Sequence, residues 1–165
     1  VLVVSPDAGG VARARELAKR IGAGLAIVDK RRSKPGEIEE MIIIGDVKDR
    51  VCVSVDDICD TAGTLCAAAE TIKNAGAREV HAYISHGVLS GPAVERIGKS
   101  VLKSLVTTDS IEQPAPVQKA KNIRAVPVAP LMAQAILNIS NGTSVSSLFN
   151  EETLGPIYEA FYPNY

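Results

Sequence analysis

The sequence has 165 residues, 18 Lys and Arg against 19 Asp and Glu, and a formal net charge of −1. With 46% hydrophobic and 22% charged residues it is not a disordered chain, and its length suits one domain that buries roughly two-thirds of its unfolded surface without a disulfide or metal staple. The balanced charge argues against a nucleic-acid partner, and 4% aromatic residues with no Trp argue against stacking platforms for single strands.

Taken in chain order, Val1–Val4 reads as a strand, and Ala8-Gly9-Gly10 turns it into a helix reaching about Ile21. Gly22 and Gly24 stop that helix, and Leu25–Val28 is the next strand. Asp29–Glu40 is charged, holds Pro35-Gly36, and reads as a long loop. Met41–Val47 is apolar again, and Val51–Val55 is a strand delivering Asp56-Asp57. Thr64–Asn74 is an Ala-rich helix stopped by Gly76, and Val80–Ser85 is a strand. Gly91-Pro92 opens a helix to about Ser100, and Leu105–Thr108 and Ile123–Val128 are strands separated by a loop over Glu112–Val117. Pro130 suits the first turn of a helix to about Ile139.

Apolar strands alternating with helices predict an α/β fold, a doubly wound and mainly parallel sheet covered on both faces. Ligands of such sheets bind at the carboxyl ends of strands. That rule selects the loops after Val4, Val28 and Val55. Cys52, Cys59 and Cys66 are odd in number and form no CxxC pair, so they read as reduced thiols of a cytoplasmic protein, with neither a disulfide framework nor a zinc site. No apolar run approaches the ~20 residues of a membrane span, and the first residues have no basic leader. The sequence lacks an initiator Met and opens inside a strand, so a fragment of a longer protein is expected.

The strongest chemical signal is Val51-Cys-Val-Ser-Val-Asp-Asp-Ile-Cys-Asp-Thr-Ala-Gly-Thr64. A buried strand delivers two acids, then a turn of small residues, then a helix. The free N–H groups of a helix start bind a phosphate dianion. The acids repel phosphate but accept strongly from hydroxyls. A sugar phosphate offers both groups. The plain alternative is a strand–turn–helix with Asp57 or Asp60 as the helix cap. A second signal is Asp29-Lys30-Arg31-Arg32, a basic triplet at a ligand edge where cations would neutralise a polyphosphate, or simply a solvated face. A third is Ser5-Pro6-Asp7-Ala8-Gly9-Gly10, whose Asp7 is either a helix cap or a Mg²⁺ ligand.

These segments, with Ser85–Pro92 and Asn141–Phe149, resemble the ribose-phosphate pyrophosphokinase (phosphoribosyl pyrophosphate synthetase) family over residues 1 to about 149, and Asp56–Thr64 resembles the sugar-phosphate motif of the type I phosphoribosyltransferase fold. The resemblance implies transfer of the diphosphoryl group of ATP to the C1 hydroxyl of ribose 5-phosphate, giving phosphoribosyl pyrophosphate and AMP, with Mg²⁺ as cofactor. It implies catalytic roles for Lys30 and Arg32 on a flexible loop, and ribose contacts from Asp56 and Asp57. It also implies a 5-phosphate loop of Asp60, Thr61, Ala62, Gly63 and Thr64, a metal-site role for Asp7, and a regulatory phosphate or nucleotide site near Ser144 and Ser146. A homo-oligomer of the full-length chain, a hexamer or another multimer, is implied as well. The family chain is about twice this length, so residues 1–149 correspond to its second half with the start truncated, residues 150–165 form a tail, and the fragment alone is expected to be inactive. A phosphoribosyltransferase and a non-catalytic regulatory subunit are the alternative readings. Glu37, Glu39 and Glu40 depart from the pattern by adding negative charge near a polyphosphate, and His81 and His86 match no metal-binding position.

Overall fold

The computed structural model describes residues 1–31 and 40–161. They form two compact units, Val1–Val126 and Pro127–Tyr165.

In the first unit β1 (Leu2–Ser5), α1 (Val11–Arg20), β2 (Gly24–Arg31) and β3 (Glu40–Ile44) are followed by β4 (Val51–Cys59), α2 (Gly63–Asn74) and β5 (Glu79–Gly87). Then come α3 (Ala93–Lys99), β6 (Ser104–Thr108), the short α4 (Ala115–Gln118) and β7 (Ile123–Val126). The strands form one sheet in the order β3-β2-β1-β4-β5-β6-β7. Every pairing is parallel except β2 with β3. This is the doubly wound, mainly parallel α/β sheet that the strand–helix alternation predicts.

Two apolar layers hold it together. On one face Ala14 and Ala18 of α1 pack with Val3 and Val55. On the other, Leu65, Ala68, Ala69 and Ile72 of α2 and Ile97 of α3 cluster with Val4, Cys52, Val80, Ala82 and Leu105. Burial of both faces explains why these strands read as apolar runs.

Three expectations are corrected in this unit. Asp29, Lys30 and Arg31 do not begin a loop: they continue β2, opposite Ile42, Met41 and Glu40 of β3. The antiparallel ladder holds charged residues in an edge ribbon, where charge is well tolerated. Arg32 and residues 33–39 lie outside the described residues. β4 does not stop at Val55 but runs to Cys59, because β5 continues beside it, pairing Asp56 with Ile84 and Cys59 with Gly87. Ladder pairing here overrides the low strand preference of aspartate. The expected loop over Glu112–Val117 contains the start of α4.

The second unit holds α5 (Ala129–Ser140), a 3₁₀ turn at Ser146–Phe149 and α6 (Glu151–Phe161). Pro130 lies in the first turn of α5, as expected. Of the tail beyond residue 149, Glu151–Phe161 forms α6, and the Tyr158 hydroxyl donates to the Pro127 carbonyl at 3.0 Å.

Candidate functional site

Two connections at the carboxyl edge of the sheet, β1 to α1 and β4 to α2, meet at one cleft of about 250 Å³. Pro6 and Asp7 line it from the first connection, and Asp56 with the run Ile58–Leu65 from the second. A larger groove of about 500 Å³, walled by Cys66, Glu70, Glu95, Arg96 and Lys99, lies between α2 and α3. Volume does not decide between them. The smaller cleft sits where parallel sheets bind ligands, and it joins the carboxylates of Asp7, Asp56 and Asp60 to the start of α2.

The turn at Asp60–Thr64 is built around a strained residue. Ala62 precedes α2 in the left-handed region at φ 59° and is only 4% exposed. Its N–H donates to the buried Cys59 thiol, and Cys66 N donates to the Ala62 carbonyl at 3.0 Å, closing the first turn of α2. The N–H groups of Gly63, Thr64 and Leu65 therefore start the helix without intrahelical acceptors, and no side chain caps them. A left-handed residue before a helix start gathers successive N–H groups into an anion-binding concavity.

Neighbouring segments brace the turn from behind. Leu89 is buried, itself left-handed at φ 49°, and its N–H donates to the Cys59 carbonyl at 3.1 Å. Ser90 N donates to the Asp60 carbonyl at 3.2 Å, and its hydroxyl donates to the Asp60 carboxylate. The Arg96 guanidinium of α3 donates to the Thr61 carbonyl. Burial pushes the Cys59 thiol up to about 11, so it stays protonated and serves the packing.

The paired acids face a cation. Arg13 of α1 donates through Nη1 to Asp56 Oδ1 at 2.7 Å and through Nη2 to Asp57 Oδ2 at 2.6 Å. The Asp57 N–H donates to Asp56 Oδ1 at 2.9 Å. Burial holds the Asp56 carboxyl above the usual carboxylate range, and the Asp7 and Asp57 charges push it further, against the Asp57 N–H and the Arg13 charge. Asp7 accepts from Gly10 N at 2.8 Å, so it closes the turn into α1 while lining the cleft.

The structure therefore brings Asp7, Asp56, Asp60, Thr61, Ala62, Gly63 and Thr64 around one cleft, with Asp57 beside them. Lys30 is half-buried on β2 and is not among the residues lining the cleft. Arg32 lies outside the described residues. Ser144 and Ser146 belong to the second unit, where their hydroxyls hydrogen-bond each other at 2.8 Å. His81 bonds Ser104 and Glu79, and His86 bonds Ser110, in surface networks. Sequence reasoning missed Arg13, Arg96 and Leu89. Only Val11 and Ala12 separate Gly10 from Arg13 in the sequence, yet Arg15 and Arg20 offer the same charge, and only the fold distinguishes them.

Residues 30–150 match the family model described as the phosphoribosyl synthetase-associated domain. The chain belongs to that family. It is 70% identical over 162 residues, 98% of this chain, to the ribose-phosphate pyrophosphokinase of Cereibacter sphaeroides, and 59% identical over 151 residues, 91% of this chain, to that of Caulobacter vibrioides. It spans about half the length of these curated relatives, 48% of each. Among solved structures, the phosphoribosylpyrophosphate synthetase of Mycobacterium smegmatis superposes with a TM-score of 0.78 at 31% identity, covering 86% of this chain and 45% of that one. The orotate phosphoribosyltransferase of Aeropyrum pernix superposes with a TM-score of 0.53 at 25% identity, covering 64% of this chain and 58% of that one. The type I phosphoribosyltransferase kind of sheet inferred from the motif is thus the fold of this chain. No helix among the described residues is long and apolar enough to cross a membrane.

Proposed function

We propose that this chain supplies the ribose 5-phosphate site of a ribose-phosphate diphosphokinase. The observation that carries the reading is the cleft in which open N–H groups of a helix start lie beside a pair of carboxylates. Relatives at 59–70% identity carry the corresponding name, which supports the same assignment.

In this reading the N–H groups and hydroxyls of Asp60–Thr64 hold the 5-phosphate, and Asp56 and Asp57 accept hydrogen bonds from the ring hydroxyls. The sugar is then fixed at both ends, with its C1 hydroxyl aimed at the β-phosphorus of ATP. The C1 oxygen forms the new P–O bond, the bond to the AMP oxygen breaks, and the hydroxyl proton leaves to solvent. Positioning and charge stabilisation dominate such transfers. Lys30 and Arg32 are assigned to the charge on the transferring group.

Among the described residues no group of three or more His, Cys, Asp or Glu could hold a metal on protein ligands alone. Mg²⁺ bound through one or two carboxylates and substrate oxygens suits a cleft lined by Asp7 and Asp56. When bound, Mg²⁺ neutralises the diphosphate charge. The working protein is assigned to the cytoplasm as a homo-oligomer of the longer chain, with neither nucleic acid nor membrane as a partner, and Ser144 and Ser146 are assigned to a regulatory anion site.

The test incubates the purified chain with ATP, Mg²⁺ and ribose 5-phosphate, with and without the upstream half of the Cereibacter sphaeroides relative. AMP release that requires both parts and the sugar phosphate supports the reading. Pyrophosphate release that requires a nucleobase would reassign the chain as a phosphoribosyltransferase, and no turnover in any combination would leave a regulatory subunit.

A further inference from the structure

We infer that Arg13 positions Asp56 and Asp57 as a reader of a vicinal diol, and so sets the preference for ribose over 2-deoxyribose phosphates. The inference rests on the sugar-phosphate reading of the cleft and adds a residue and a specificity to it.

The argument starts from which oxygens are used. The guanidinium fork takes one oxygen of each acid, Asp56 Oδ1 and Asp57 Oδ2. Asp56 Oδ1 also accepts from the Asp57 N–H. No described residue donates to Asp56 Oδ2 or Asp57 Oδ1. One cation thus ties two carboxylates together and leaves each with an oxygen to accept a hydroxyl. Adjacent hydroxyls of a furanose need two such acceptors side by side, whereas a deoxy sugar uses one.

Charge supports the same role. Asp56 and Asp57 are like charges on adjacent residues, and Arg13 is the cation that bridges them. A planar fork fixes the angle between two carboxylates, which a lysine ammonium cannot do. The clamp is not buried: the Arg13 and Asp57 side chains are 35% and 56% exposed. Pairs of that exposure add little to stability, so orientation of the acids is the better account of it. The backbone also makes room for the clamp. A Cβ at Gly10 would lie 2.9 Å from Ser5 Oγ and 3.4 Å from Arg13 Nη1.

The experiment titrates the chain by calorimetry with ribose 5-phosphate, 2-deoxyribose 5-phosphate and inorganic phosphate, for the parent, Arg13→Gln and Arg13→Lys, with a thermal melt of each. The parent should prefer the ribose compound by about tenfold or more, since a site built for a hydroxyl penalises its absence. Arg13→Gln should weaken ribose 5-phosphate by about tenfold and bring the two sugars within about threefold, with inorganic phosphate nearly unchanged. Arg13→Lys should keep the melt and recover part of the affinity without the discrimination, which holds the test open if Arg13→Gln fails to fold. A preference retained in both variants overturns the inference. So does an equal loss for inorganic phosphate, which would make Arg13 a phosphate ligand. A parent chain that binds neither sugar phosphate contradicts the sugar-phosphate reading itself, before any substitution is made.

Discussion

Ala62 is where the local cost of the site is concentrated, and substituting it gives a worked expectation. Its left-handed backbone costs an L-residue about 1–2 kcal/mol. Ala62→Gly removes that strain. It also removes a buried methyl, about 0.8 kcal/mol, and loosens the unfolded chain by about 0.5–1 kcal/mol. These contributions nearly cancel, so the glycine variant should lie within about 1 kcal/mol of the parent. Ala62→Val keeps the strain and makes it worse, because a β-branched residue at positive φ is an outlier. Two added carbons in a closed core cost a further ~1–3 kcal/mol. Together these give a loss of about 2–4 kcal/mol, or a Tm lower by roughly 5–15 °C for a domain of this size. Thermal and urea unfolding of the three chains measure both effects. A valine variant that melts within about 2 °C of the parent would refute the strained turn.

Gly63 is expected to behave in the opposite way. A Cβ there meets only the Arg96 Nη1 at 3.4 Å and Thr61 Oγ1 at 3.8 Å, so Gly63→Val should fold with its Tm nearly unchanged yet lose about tenfold or more in ribose 5-phosphate affinity by crowding the anion. Calorimetry beside a melt separates the two, and unchanged affinity counts against a phosphate at this turn. Asp56 gives a pH dependence. Its folded-state pKa is raised above the usual 3.8, so its contribution to stability is present below that value and is lost as pH rises through the folded-state pKa. Asp56→Asn should flatten the Tm-against-pH curve in that acid window, and an unchanged slope would show that Asp56 does not carry it.

The fold was largely legible because each central strand is buried on both faces, which writes Val and Ile runs directly into the sequence. The path of β4 past Val55 was not, since its polar end is held by β5 rather than by its own preference. Nor was β2 through Lys30, which depends on an antiparallel partner beyond the charged segment. At the site, Asp56, Asp57 and the small residues of the turn stand out by local order alone. The turn invited attention to Gly63, whereas the unusual backbone lies at Ala62, a residue whose type carries no such signal. Arg13 is 43 residues from Asp56 and Arg96 is 35 residues from Thr61, so only the packing of α1 and α3 beside β4 and its turn reveals what they touch.

The central claim is that a sugar phosphate seats its phosphate on the start of α2 and its hydroxyls on the acid pair. The most direct measurement is the amide spectrum of the ¹⁵N-labelled chain during addition of ribose 5-phosphate. The account predicts saturable shifts largest at Gly63, Thr64 and Leu65, with a second group at Asp56 and Asp57, and inorganic phosphate moving only the first. A spectrum that does not change, or that changes only away from these residues, would contradict it.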